Sequence, residues 1–342
     1  MIMNIFPKNS RPHSATIIIT AFNQACSLDL LLASLEVQVF KHSFDVIVCD
    51  DGSGNDVRET IERCAARSTL DIRHIWQRRE GYRAARSKNN AIRCAQGDYL
   101  VFLDADIVVG ADFLQRHIAA HQGARQIVCN PRRWIAPTTP VGLGRDINTG
   151  AGATAELDSL YRAGGVECLL RFLATVAQDV GDRAQQRLYH ASSTPWMACM
   201  GFSLSVDRAP EVWFDEAFEG WGPEDRELGF RLMSRHGHTL VYKDDLEVFH
   251  LECCSTGRTP FEFLPTGHAQ IVAMLRNLLH FSRLYPDRDL GVVFEIILHY
   301  KLDPLTDLWV LSPVPHLSGN VGERITLHFC LIERWLRDRQ SL

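Results

Sequence analysis

The chain has 342 residues, 46% of them hydrophobic, and a formal net charge of −5. That content supports one large core or two smaller ones, and the acidic balance without a long basic run argues against a nucleic-acid partner. Ten cysteines lie scattered without a Cys-x-x-Cys pair, which points away from a zinc ribbon or disulfide framework and towards a reducing compartment. Met1 to Arg11 holds Lys8 and Arg11 but no apolar segment, so no signal peptide is expected, and no apolar run reaches the roughly 18 residues of a membrane span. The expectation is a cytoplasmic protein.

Ala15 to Thr20 is a short β-branched run, the pattern of a buried strand. Leu28, Leu31, Leu32 and Leu35 then mark one face of a helix, and Val46 to Cys49 forms a second strand stopped by Asp50-Asp51-Gly52-Ser53-Gly54. A second helix with Val57, Ile61, Cys64 and Ala65 inward leads to a third strand over Asp71 to Trp76. A third helix is expected over Ala84 to Gln96, and a fourth strand over Tyr99 to Leu103, ending at Asp104-Ala105-Asp106. Such alternation predicts an α/β fold, a mostly parallel Rossmann-like sheet flanked by helices, with polar strand ends along the carboxyl edge where ligands bind.

After Ile127 to Cys129 the pattern loosens. Pro131 to Gly165, rich in Pro, Gly and Thr, reads as an irregular excursion, followed by a helix over Glu167 to Val176 and a strand over Cys199 to Val206. From Trp221 to Leu232 the chain reads as a turn, with Pro223 at the first helical position, and a helix. Its first turn collects Glu224, Asp225 and Glu227, and Leu228, Arg231 and Leu232 share a face. Strands are expected near Thr239 to Tyr242 and Glu247 to His250, and a largely helical segment over the last eighty residues. The chain divides into a half over residues 14–128, a second half over 129–260 and a helical extension over 261–342.

Each polar cluster admits two readings. Asp104 and Asp106, one residue apart, suit a divalent ion or a solvated turn. Asp51 at the end of strand two suits a base or ribose contact, or a local Asx turn. Arg78, Arg79, Arg83, Arg86 and Lys88, beside Gly81-Tyr82, suit a nucleotide diphosphate or a solvated helix face. His250 suits a metal ligand or a packed core residue. Cys253 and Cys254 raise a zinc site, but no second ligand pair has the spacing for one. Glu224 and Asp225, after a Trp and a Gly-Pro turn, suit a general base at a cleft or an acid-capped helix.

Six motifs fall in one order: Thr20-Ala21-Phe22-Asn23, Asp50-Asp51-Gly52-Ser53, Gly81-Tyr82-x-x-Ala85-Arg86, Asp104-Ala105-Asp106, Trp213-Phe214-Asp215-Glu216 and Trp221-Gly222-Pro223-Glu224-Asp225. Together, over roughly residues 14 to 255, they resemble the family 2 glycosyltransferases of GT-A fold. The second half is similar to the galactosyltransferase-type segment of bacterial chondroitin polymerases. Pro223 stands where that pattern has Gly, and Pro137 to Gln186 matches no part of it.

The resemblance implies that Phe22 and Asp51 hold uracil, that Thr20 gives backbone contacts beside Asn23, and that Tyr82 and Arg86 lie near the nucleotide. Asp104, followed by Ala105, would face the ribose, while Asp106 and His250 would bind Mn2+ or Mg2+. Asp225 would be the base, with Glu224, Trp221 and Gly222 shaping the acceptor site. The implied activity is an inverting, metal-dependent transfer from a nucleotide sugar, of UDP type, to a glycan, lipid-linked or other hydroxyl acceptor in glycan biosynthesis. The transferred unit would be a hexose or N-acetylhexosamine. A sugar nucleotidyltransferase would want a glycine-rich loop after strand one, and none is present; a non-catalytic sugar-binding module would have no need of Asp225. Ile325, Phe329, Ile332 and Leu336, with Arg334, Arg337 and Arg339 close by, suit core packing, a homo-oligomer contact, or peripheral attachment to the inner face of a membrane.

Overall fold

The computed structural model describes residues 2–6, 14–123, 125–135, 151–178, 202–205, 213–246, 248–253, 267–286, 294, 297–298, 300–311 and 321–340. Its main sheet has eight strands. Strand β1 is Ile2–Phe6, β2 Ala15–Ala21, β3 Phe44–Asp50, β4 Ile72–Trp76 and β5 Tyr99–Asp104. After β6 (Ile107–Val109) come β7 (Gln126–Cys129), β8 (Arg132–Ile135), β9 (Ala177–Gln178), β10 (Phe202–Ser205), β11 (Thr239–Tyr242) and β12 (Val248–Cys253). The main sheet runs β1-β4-β3-β2-β5-β10-β7-β11. Strands β4, β3, β2 and β5 are parallel, as expected, and β11 is parallel to β7, while β10 runs antiparallel between β5 and β7 and β1 antiparallel at the far edge.

The helices are α1 (Ala25–Glu36), α2 (Asn55–Arg67), α3 (Ala84–Ile92), α4 (Phe113–Ala119), α5 (Ala151–Val176), α6 (Glu224–His236), α7 (His268–Leu284) and α8 (Val321–Gln340). Alternate strand residues feed opposite faces. Ile17, Ile19, Val46, Val48, Val101 and Leu103 pack against α1 and α2. Ile18, Ile47, Leu100 and Phe102 pack against α3 and α6. Helix α1 is buried on more than its Leu28–Leu35 stripe, because Leu30 faces a separate cluster with Leu157, Leu169 and Leu173 of α5.

Several expected boundaries move. Helix α3 ends at Ile92, short of Gln96. The irregular stretch expected to Gly165 is helical from Ala151, with a break at Gly165 (φ 70°), and Leu157, Leu160 and Tyr161 give it the apolar face that holds it on α1. Pro223 is the residue before α6 rather than its first residue. The strand expected over Cys199 to Val206 is found as Phe202–Ser205; its two ends, Cys254 and residues 136–150 lie outside the described residues.

A second sheet, β6-β12-β8-β9, sits beside the first. The C-terminal segment is not wholly helical: β13 (Tyr300–Leu302) and β14 (Trp309–Leu311) form a hairpin. Ile325 and Ile332 of α8 are buried, with Phe329 and Leu336 packed beside them, against Ile271, Leu275 and Leu278 of α7 and Trp309. The apolar face of the last helix is therefore core. Among the described residues no helix is long and apolar enough to cross a membrane.

Candidate active site

Parallel pairing sets the first half of the site. Ala21 pairs with Asp50 and Thr20 with Asp104, so three strands end level and turn their following residues to one edge. The Thr20 carbonyl accepts from Ala105 N at 3.0 Å, and the Ala21 carbonyl from Asp51 N at 3.1 Å. Gly52 has φ +89°, and a Cβ there would stand 2.6 Å from the Arg79 backbone nitrogen, so this close approach admits only glycine. The Asp51 carboxylate is buried and accepts from Gln77 Nε2 (2.6 Å), Arg79 Nη1 (2.8 Å) and Arg83 N (2.7 Å). The Arg79 guanidinium lies 3.7 Å from the centroid of the Phe22 ring. Asn23 closes the rim, its N–H donating to Ser53 Oγ at 2.9 Å and its Oδ1 accepting from Gly54 N at 3.2 Å.

The Asp104-Ala105-Asp106 turn leaves β5 and enters β6, whose Ile107 pairs with His250 of β12. This brings His250 Nε2 to 3.7 Å from Asp106 Oδ1. Asp106 Oδ2 accepts from Gln24 Nε2 at 3.1 Å, while Oδ1 is buried and accepts no hydrogen bond. Two ligand atoms each roughly 2.1 Å from one ion stand about 3–3.6 Å apart, so the 3.7 Å pair fits a shared divalent cation. No cluster of three or more His, Cys, Asp or Glu poised to hold a metal occurs among the described residues. Burial is the chief cause that raises the Asp106 carboxyl, and it pushes the Asp104 carboxyl up to about 6, with Lys88 opposing and Asp106 and Glu224 adding.

The basic cluster does not act as one patch. Arg79 turns to Asp51, Arg83 to Glu80 at 2.5 Å, and Arg86 to Glu216 at 3.9 Å, away from Phe22 and Asp51. Lys88 is buried, and its Nζ donates to Glu224 Oε1 at 3.0 Å across 136 residues of sequence. Burial would lower the Lys88 ammonium, but Glu224, Asp104 and Asp225 hold it above its ordinary value. Asp225 keeps part of its surface exposed, and Oδ1 accepts from Arg226 N at 2.8 Å. Its carboxyl is pushed up to about 6, chiefly by lost solvent and then by Glu224, against the pull of Lys88. The two acidic neighbours thus differ: Glu224 is locked into a buried ion pair, and Asp225 keeps part of its surface exposed.

The loop before α6 is held by side chains. Asn89 Nδ2 donates to the Phe214 carbonyl (2.9 Å) and Glu216 Oε1 (3.0 Å), and its Oδ1 accepts from Phe214 N (2.8 Å). Gly220 N donates to the Tyr82 carbonyl at 2.9 Å, and Asn277 Nδ2 of α7 donates to the Gly222 carbonyl at 2.7 Å. Tyr285 Oη and Arg231 Nε both donate to Glu227 Oε1, at 2.6 and 3.0 Å. The rings of Tyr82 and Trp221 remain 37% and 38% exposed, which leaves two aromatic faces open near Gly222.

Sequence reasoning missed the special place of Lys88, which it saw only as one cation of five. It also missed Asn89, Gln24 and Trp134, whose ring lies 4.1 Å from that of His250. The parallel pairing of β8 with β12 that joins Trp134 to His250 spans more than a hundred residues and leaves no local pattern to read.

A mainly parallel α/β sheet with an Asp-x-Asp turn at its carboxyl edge and an acidic helix start in the second half has the layout of the GT-A fold. Residues 16–164 match the Glycosyl transferase family 2 model. The chain is 28% identical over 280 residues to validoxylamine A glucosyltransferase of Streptomyces hygroscopicus subsp. jinggangensis, covering 79% of this chain and 61% of that protein. It is 27% identical over 232 residues to chondroitin synthase of Pasteurella multocida, covering 64% of this chain and 23% of that one. The chain thus spans less than two thirds of the length of either relative. The mannosyltransferase PcManGT from Pyrobaculum calidifontis, solved with GDP-Man and Mn2+, shares the fold with TM-score 0.52 and 14% identity over 98% of this chain and 77% of that one.

Proposed function

We propose that this chain transfers a sugar from a nucleotide sugar, of UDP type, to an acceptor hydroxyl with inversion, in glycan or glycoconjugate biosynthesis. The observation that carries the proposal is the convergence of Asp104, Glu224 and Asp225 around buried Lys88, which sets the strand-end carboxylate and the helix-start base at one crevice. Residues 14–128 form the donor half in this reading, 129–260 the acceptor half, and 261–342 a support for the loop at Gly222. The relatives named above are glycosyltransferases, and the mannosyltransferase binds GDP-Man with Mn2+.

Phe22, Asn23 and Asp51 form the base end of the donor site, with Thr20 and Ala105 supplying backbone and Asp104 facing the ribose. Tyr82 and Arg86 line the approach. Asp106 and His250 would hold the divalent cation; when bound, it stabilises negative charge on the departing diphosphate. Trp221 and Gly222 bound the acceptor. Asp225 accepts the hydroxyl proton as the acceptor oxygen bonds to the anomeric carbon, and the bond to the diphosphate oxygen breaks on the opposite face. Glu224, neutralised by Lys88, holds the helix start in place. The apolar face of α8 is already covered by α7, so this reading needs neither a lipid surface nor a second copy there.

The test is release of UDP or GDP from α-linked nucleotide sugars with and without Mn2+, and proton NMR of the product. Metal-dependent release with a β-configured product is expected. An α-configured product refutes inversion and the role of Asp225, and absence of nucleotide release from every donor in the presence of hydroxyl acceptors refutes the transferase reading.

A further inference from the structure

Arg132 lies on β8, where its backbone pairs with Val248 and that of Trp134 pairs with His250. Residues two apart on a strand share a face, so Arg132 and Trp134 project to the same side. The Trp134 ring lies against the His250 imidazole at 4.1 Å, which fixes that side as the one facing Asp106. The Arg132 guanidinium sits 5.1 Å from the centroid of the Trp134 ring, an indole shelf that orients a planar cation. Its charge opposes the rise of both the Asp104 and the Asp106 carboxyls, in keeping with that placement.

We infer that Arg132 is a donor-binding residue whose guanidinium, shelved on Trp134, takes the diphosphate of the nucleotide sugar beside the Asp106–His250 pair. The inference rests on the donor reading above. A nucleoside diphosphate brings at least two negative charges to a crevice already carrying Asp104 and Asp106, and one divalent ion offsets only the carboxylates. A planar fork of N–H donors matches phosphate oxygens in pairs, which a lysine does not.

The experiment is calorimetry of UDP and uridine, with GDP and guanosine in parallel, on the wild type, Arg132→Met and Arg132→Lys in Mn2+. For Arg132→Met we expect the nucleoside diphosphate to bind about 10- to 100-fold more weakly, the loss typical of a charge-assisted contact, with nucleoside affinity unchanged. Arg132→Lys should fall between, keeping charge without the fork, and it carries the test if Arg132→Met fails to fold. Unchanged diphosphate affinity overturns the inference, as does equal weakening of nucleoside and diphosphate, which would mark Arg132 as structural. A wild type that binds neither UDP nor GDP overturns the donor reading and this inference with it.

Discussion

The two sides of the crevice are built by different means. On the side proposed to hold the donor, backbone pairing does the work: β2, β3 and β5 end in register, and Phe22, Asp51 and Asp104 inherit their places from the sheet. On the side proposed to take the acceptor, the 213–223 loop and the start of α6 owe their places to side chains, above all Lys88 and Asn89 of α3 and Asn277 of α7. A site resting on a sheet tolerates the loss of any one side chain contact; a site tethered by a few buried polar groups does not. The comparison predicts where single substitutions cost most.

The largest effect is expected on the tethered side, at Asp225 itself. Asp225→Asn preserves shape and removes the proton acceptor, so turnover should fall roughly 10²–10⁴-fold with nucleotide affinity nearly intact. In the wild type, kcat/KM should fall as pH drops through about 6, because a raised carboxyl takes up its proton there and ceases to be a base. Near wild-type turnover in Asp225→Asn would move the base to Glu224 and undo the distinction between the two.

Lys88→Met tests the tether most directly. Removing one partner of a buried ion pair leaves the other charge uncompensated and should cost about 3–5 kcal/mol by urea unfolding. Lys88→Met with Glu224→Gln should recover much of that loss. A single variant as stable as the wild type would mean that Glu224 does not depend on Lys88.

A third prediction concerns the junction of the two regions. His117 of α4 is fully buried, bonded through Nδ1 to Ser203 Oγ and through Nε2 to Asn130 Oδ1, each at 2.9 Å. Burial pushes its pKa down to about 4, so the folded state favours the neutral ring. The stability this contributes is full above the unfolded value of about 6.5 and is lost as pH falls towards 4, a change of roughly 3 kcal/mol. Urea unfolding between pH 7 and 4 should show at least that slope, and His117→Gln should reduce it, leaving the share of His121, which shares Ser203 Oγ at 2.7 Å and which burial also pushes down to about 4; an unchanged slope would assign the loss to other groups.

The smallest effect is expected at Asn89. Asn89→Ala frees the Phe214 N–H and carbonyl and should cost about 1–3 kcal/mol, the penalty of unpaired buried groups. Proteolysis or hydrogen exchange should locate the loosening at residues 213–216, with the Asp51 rim unaffected. Protection lost evenly over both sides would erase the contrast between them.

The sheet edge that carries Asp51, Asp104 and Asp106 was legible in the sequence because its information is local. Runs such as Ala-Thr-Ile-Ile-Ile-Thr declare buried strands, alternation with helices declares parallel pairing, and parallel strands deliver their carboxyl ends to one edge whatever follows. Asp51, Asp104 and Asp106 could therefore be assigned to a crevice from the chain alone, and the acidic start of α6 followed from Glu224, Asp225 and Glu227. The tertiary structure alone decided which cations meet which carboxylates. Five basic residues within eleven positions look alike in sequence, yet packing sends Arg79 to the strand-end aspartate, Arg86 to Glu216 and Lys88 into the interior against Glu224. The same holds for His250, whose approach to Asp106 depends on β12 returning beside β6, and for Arg132 and Trp134, which reach that pair through a strand pairing separated by over a hundred residues. The physical reason is range: hydrogen-bonding period and hydrophobic pattern act over a few residues, whereas the partner of a buried charge is whichever group the folded chain brings to it.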